Sequence, residues 1–154
     1  MRGEIFNFEG RSFFAFGGAS SHDIKDGILS LDDYKTEEEF IQTFKLWVKQ
    51  NKMFRVNHIS WWAEELPSDE EIKNAEANLA KVNYKADYVL SHCAPQSVVA
   101  YMCAGTTESD KLTLWFEELQ SKLDFRKWFF GHYHADAKIL DKYILLYDQI
   151  IRIK

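Results

Sequence analysis

Cysteine occurs only at positions 93 and 103, with no C-x-x-C spacing. That excludes a disulfide-built scaffold and a thiolate zinc knuckle, and it leaves reduced thiols in an intracellular protein as the default. No apolar run approaches the roughly 20 residues that a membrane span requires. No secretory leader is expected, because Met1-Arg2-Gly3-Glu4 enters a strand pattern within a few residues. The expected setting is the cytoplasm, with no membrane partner. A basic excess is absent too: the formal charge is −5, which removes the electrostatic reason to expect nucleic acid as a primary partner. Linkers, internal repeats and low-complexity tracts do not occur.

What is present is apolar and aromatic, at 46% and 16% of residues, which argues against disorder. A length of 154 residues predicts one domain, 1–154, with a real core. Residues 4–8 and 11–16 predict a β-hairpin about Glu9-Gly10. Its first strand begins almost at Met1, so its edge is left uncovered and an upstream portion is expected to be missing. Gly17-Gly18-Ala19-Ser20 leads to His22 and Asp23. That is either an ordinary loop after a hairpin or one whose polar side chains line a site.

Three helices announce their starts. Thr36 with Glu39 reads as a capping box, and the stripe Phe40, Ile41, Phe44, Trp47 and Val48 should pack on the sheet before the helix ends near Gln50-Asn51. Ser68 with Glu71 is a second box, opening a helix that buries Ile72, Ala75, Leu79 and Val82. Ser109 or Asp110 caps a third, with Leu112, Trp115, Phe116, Leu119 and Leu123 on one face. The acidic triplets Glu37-Glu38-Glu39 and Asp69-Glu70-Glu71 are solvated first turns, not binding tails. Trp61 and Trp62 are adjacent and unable to share one side of a strand, so either both pack in a core or one lines a groove or covers an edge. Val98, Val99 and Met102 predict one or two helical turns, Gly105-Thr106-Thr107 a loop, 137–140 and 143–147 a hairpin, and Ile150, Ile151 and Ile153 a last strand. Helix-then-strand order makes the expected class α/β (α+β), a mixed β-sheet with flanking helices.

Two apolar runs end in histidine. Trp128-Phe129-Phe130 stops at Gly131 and is followed by His132 and His134, at i and i+2. The glycine should free the backbone to turn sharply. Tyr88-Val89-Leu90-Ser91 runs into His92. If the strands are central, three imidazoles arrive where open α/β sheets place their ligands. Neutral imidazole suits zinc, manganese, iron or nickel. The competing reading makes each histidine a satisfied polar residue at a sheet edge. Cys93, next to a candidate ligand, is a buried structural thiol or a lining residue.

Ser91-His92-Cys93-Ala94-Pro95 and Gly131-His132-Tyr133-His134 resemble the last two motifs of the calcineurin-like metallophosphoesterases. Gly17-Gly18-Ala19-Ser20 and Trp61-Trp62-Ala63-Glu64-Glu65-Leu66-Pro67 resemble segments of a bacterial and phage-type branch. The resemblance implies the C-terminal part of an αββα sandwich. It also implies a binuclear centre of divalent ions, with His92 and His132 on one metal and His134 on the other, and a phosphate-ester substrate attacked by metal-bound hydroxide. The family's upstream motifs D-x-H, G-D and G-N-H-[DE] are absent, since no histidine follows an aspartate by two residues and no Gly-Asp pair occurs. Asn57-His58 lacks the preceding glycine and is followed by Ile59. No catalytic group is therefore assigned beyond the metal ligands. Without a bridging carboxylate two divalent ions repel, so weak or absent phosphatase activity is expected of these residues alone. The alternative is a non-catalytic form of the fold that binds one metal or a partner, pairing with a second copy through the open sheet edge.

Overall fold

The computed structural model describes residues 1–21, 23–104 and 108–153. Among them, internal contacts separate two compact units: residues 1–19 with 66–154, and residues 20–65.

The larger unit begins with the predicted hairpin, β1 (Arg2–Phe8) and β2 (Arg11–Phe16), paired antiparallel about Glu9-Gly10. The chain then passes through the smaller unit, which supplies β3 (Gly27–Leu29), α1 (Glu37–Lys49) and β4 (Phe54–Val56). The larger continues with α2 (Asp69–Lys81), β5 (Tyr88–Ser91), α3 (Gln96–Met102), α4 (Lys111–Lys122), β6 (Lys127–Phe130), β7 (Ala137–Ile139) and β8 (Tyr143–Leu145). Six strands form one sheet in the order β1-β2-β5-β6-β8-β7, in which β2, β5, β6 and β8 run parallel and the two edge strands run antiparallel to their neighbours. The mixed sheet with flanking helices is the expected class.

Parallel strands at the centre of a sheet are apolar on both faces, and β6, Lys-Trp-Phe-Phe, shows why. Trp128 and Phe130 join the main core with Phe14, Val89, Leu79 of α2, Val98 of α3 and Phe116 of α4. Phe129 points the other way, into a small cluster with Tyr88 and Ile144. Gly3 is required where β1 meets α2. It sits at φ +83°, and a Cβ there would lie 2.7 Å from the Ala75 Cα.

Local chemistry sets the helix starts. Ser68 and Glu71 form the predicted reciprocal box, and Asp110, rather than Ser109, caps α4 by accepting from the Leu112 and Thr113 amides. Val82, expected in the buried stripe of α2, stands at its C-terminal cap and is half-buried. Between α2 and α4, the Glu76 carboxylate accepts from Tyr84 Oη at 2.6 Å, Trp115 Nε1 at 2.8 Å and Lys122 Nζ at 2.9 Å. Burial pushes this carboxyl up, but the hydrogen bonds from Tyr84, Lys122 and Trp115 outweigh it, and the net shift is downward. A lowered native pKa stabilises the fold above the unfolded glutamate value of about 4.3. That stabilisation is lost as pH falls through the native value. We expect urea unfolding to show stability declining below about pH 4.5, and Glu76→Gln to flatten that decline while costing about 1–2 kcal/mol at pH 7. An unchanged acid slope in the variant would remove Glu76 as its source.

In the smaller unit, β3 and β4 pair parallel as a separate two-stranded sheet. Thr36 caps α1, but Glu39 reaches back to the Lys35 amide and not to that of Thr36, so the predicted reciprocal box is only half made. The α1 stripe, expected to pack on the sheet, packs on β4 of its own unit. Phe44 and Trp47 meet Phe54 edge-on at 5.6 and 5.2 Å, within their own unit, and no α1 residue is fully buried. Trp62 is exposed and Trp61 half-buried, so the pair is not core.

Residues 149–153 form no strand, contrary to expectation, and Ile150 is 100% exposed. The cause lies just upstream. The amides of Tyr147, Asp148 and Gln149 all donate to the Asp136 carboxylate, which turns the chain off the ladder after Leu145. The Gly105-Thr106-Thr107 loop lies outside the described residues. Among those described, no helix is long and apolar enough to cross a membrane.

Candidate metal centre

Strands β5 and β6 lie side by side and parallel, with Leu90 opposite Phe129. Their carboxyl ends therefore coincide. His92 follows β5 directly, and its carbonyl accepts from the Gly131 amide at 3.1 Å, which carries the ladder one step past both strands.

The sharp turn that follows does not fall on the glycine. Gly131 keeps an ordinary φ, and a Cβ there would meet only the Leu146 carbonyl oxygen at 3.6 Å. Instead the Tyr133 amide donates back to the Gly131 carbonyl at 2.9 Å, closing a three-residue turn with His132 at its centre at φ +71°. A γ-turn with positive φ is the strained kind, and a non-glycine residue held there costs about 1–3 kcal/mol. His134 is also left-handed, at φ +48°.

That turn brings His132 Nδ1 to 3.2 Å from His92 Nε2, with the rings edge-to-face at 5.0 Å and 71°. Two imidazole nitrogens on one divalent ion, each about 2.0–2.1 Å from it, stand roughly 2.9–3.4 Å apart for bond angles between square and tetrahedral. The observed spacing fits that bite. It also fits a single proton shared between the rings.

His134 takes a different course. Its ring stacks on Tyr147 at 5.3 Å and 29°. Tyr147 is placed by the Asp136 carboxylate, whose closest contact is the Tyr147 amide at 2.7 Å. Hydrogen bonds from that amide and its two successors hold the Asp136 carboxyl below the usual carboxylate range, against a smaller desolvation effect. The structure thus brings together two of the three candidate ligands, His92 and His132. Among the described residues no group of three or more His, Cys, Asp or Glu side chains is arranged to hold a metal ion.

Cys93 is buried in the main core, and burial, with a smaller contribution from the Asp110 charge, pushes its thiol up to about 12. A thiol so raised is protonated at neutral pH and packs as a small apolar side chain. Asp23, in the smaller unit, pairs with the Arg55 guanidinium, whose pKa that hydrogen bond raises. His22 lies outside the described residues.

Two supports of the pair escaped the sequence reading. Trp128 Nε1 donates to Ser91 Oγ at 2.7 Å, and Ser91 Oγ donates to the Cys93 carbonyl at 2.6 Å, which braces the chain on both sides of His92. A buried tryptophan needs a partner for its N–H, but nothing in the spacing names Ser91, on the neighbouring strand. The Asp136 clasp on Tyr147 is equally silent in sequence. Comparison of the chain with protein-family models, with curated proteins and with solved structures returns no match in any of the three.

Proposed function

We propose that His92 and His132 hold a divalent metal ion and that this site serves the hydrolysis of phosphate esters. The observation that carries the reading is the 3.2 Å approach of the two ring nitrogens at the carboxyl ends of adjacent parallel strands, where open α/β sheets bind their ligands. The resemblance of the two motifs to those of the metallophosphoesterases supplies the reaction class. A divalent ion there supplies a Lewis acid for a phosphoryl oxygen. Neutral imidazoles leave its charge uncancelled, which favours an anionic substrate. The role of the chain is to fix the two nitrogens through the strand ends and the His132 turn. Manganese, zinc, iron and nickel all suit such donors. Unpaired cysteines, one of them exposed, fit a reducing cytoplasm.

A second reading is favoured by the lack of a three-ligand group among the described residues. In that reading the site binds one ion and does not turn over, or serves a partner. One experiment separates the two. Protein loaded with manganese or zinc at neutral pH and then dialysed is expected to retain about one ion per chain. It is also expected to hydrolyse a generic aryl phosphate slowly. Retained metal without turnover selects the binding reading. No retained metal removes the site.

A further inference from the structure

Two hydrogen bonds of one hydroxyl bracket His92. Trp128 Nε1 reaches Ser91 Oγ at 2.7 Å, and Ser91 Oγ reaches the Cys93 carbonyl at 2.6 Å. Chemistry fixes the order of donation. An indole N–H can only donate, so the hydroxyl oxygen accepts there and gives its single proton to the carbonyl. Ser91 is the last residue of β5, and Trp128 lies on β6. The indole therefore ties together, by a side chain, the two strands whose ends carry His92 and His132. Trp128 is wholly buried in the main core, and Cys93 is also buried. Both partners of the hydroxyl are thus out of water, where a lost hydrogen bond is most costly.

His92 stands between the two anchored residues, and its own carbonyl accepts from the Gly131 amide at 3.1 Å. The chain from Ser91 to Cys93 is therefore fixed at three successive residues. Without the hydroxyl, a buried indole N–H and a buried carbonyl each lose this partner. The shortest relief is a shift of residues 91–93 toward other partners, and such a shift carries His92 with it. A ligand set tolerates displacements of only about 0.5 Å. Trp128→Phe acts differently. It removes the indole donor but leaves Ser91 Oγ on the Cys93 carbonyl, so His92 should stay in place. We propose that Ser91 is a positioning residue for the His92–His132 pair, acting through the main chain on both sides of His92. This rests on the reading of those two histidines as ligands of one divalent ion.

The test takes two readings on the full chain. One is zinc or nickel affinity by calorimetric titration. The other is the nuclear Overhauser contact between the two imidazoles in metal-free protein, whose ring centroids stand 5.0 Å apart. Ser91→Ala is expected to bind the ion about tenfold or more weakly, as when a partner that orients a ligand is lost, and to lose the ring contact. Ser91→Thr keeps a hydroxyl and should restore both readings. Ser91→Val, of the same shape without the hydroxyl, should restore neither. Trp128→Phe should melt below wild type yet keep the ring contact and bind within about threefold of it, which separates positioning from a general loosening of the core. Circular dichroism checks that each variant is folded. Wild-type affinity and ring contact in both Ser91→Ala and Ser91→Val overturn the proposal. So does a loss in Trp128→Phe as large as that in Ser91→Ala. A wild-type chain that binds no ion removes the metal reading instead, and the ring contact, taken without metal, still decides the positioning.

Discussion

Replacing His132 by alanine is expected to weaken binding of zinc or nickel by more than about 100-fold, measured by calorimetric titration of the dialysed protein. The reasoning is geometric. One imidazole at a strand end is a monodentate surface ligand, whereas two nitrogens 3.2 Å apart chelate. Losing either ligand should exceed the roughly 10–100-fold typical of losing an outer-shell partner, so His92→Ala should behave in the same way. His134→Ala is the internal control. With its ring stacked on Tyr147, its loss should change the first binding event by less than about tenfold. A second variant separates the site from the fold. His132→Gly relieves the φ +71° strain and should unfold at a temperature no lower than wild type, while losing the metal to the same degree. Metal affinity surviving in both His132 variants would sink the assignment.

Trp128→Ala should have the largest effect on stability. Trp128 is wholly buried, with Phe116 and Phe125 edge-on at 5.2 and 5.5 Å. Truncating a side chain of this size in a packed core costs about 3–5 kcal/mol, out of a total that is usually only about 5–15. In a chain of this length that corresponds to a fall in melting temperature of roughly 8–16 °C, readable by thermal denaturation at far-ultraviolet wavelengths. Trp128→Phe should lose about 1–2 kcal/mol, since it keeps much of the packing and gives up the hydrogen bond to Ser91. A loss for Trp128→Ala close to that of Trp128→Phe would mean that the core had collapsed onto the space, or that the burial contributes little.

What the amino-acid order declares most clearly is local chemistry. The hairpin about Glu9-Gly10, the caps at Thr36 and Ser68, and a third cap narrowed to Ser109 or Asp110 are read from a few neighbouring residues, because the groups that form them lie within one turn. The coincidence of His92 with His132 was legible for a related reason: each ends an apolar strand, and parallel neighbours end together. Features decided by distant groups were not legible. Gly27–Leu29 and Phe54–Val56 are too short to show a period, so the separate small sheet was invisible although the helix of the same unit was read. The isoleucines near the C-terminus looked like a strand because apolar pattern says nothing of Asp136, which takes the preceding amides. Gly131 drew attention as the flexible residue, yet the hydrogen bond from Tyr133 puts the bend on His132. The partition of the three histidines into a pair and a stacked single one depends on that bend and on Tyr147, neither of which spacing reveals.

The turn at His132 has a consequence for how an ion would be held. Main-chain hydrogen bonds at the ends of two packed strands set where the two histidine backbones stand, and the ring torsions complete the spacing of the nitrogens. Preorganisation of this kind moves the backbone part of the cost of arranging ligands into folding, so that less freedom is lost when an ion arrives. The conformational strain at His132 is then the counterpart of a bite already set. A sheet that folds also assembles its chelate, and loosening the ends of β5 and β6 degrades both together.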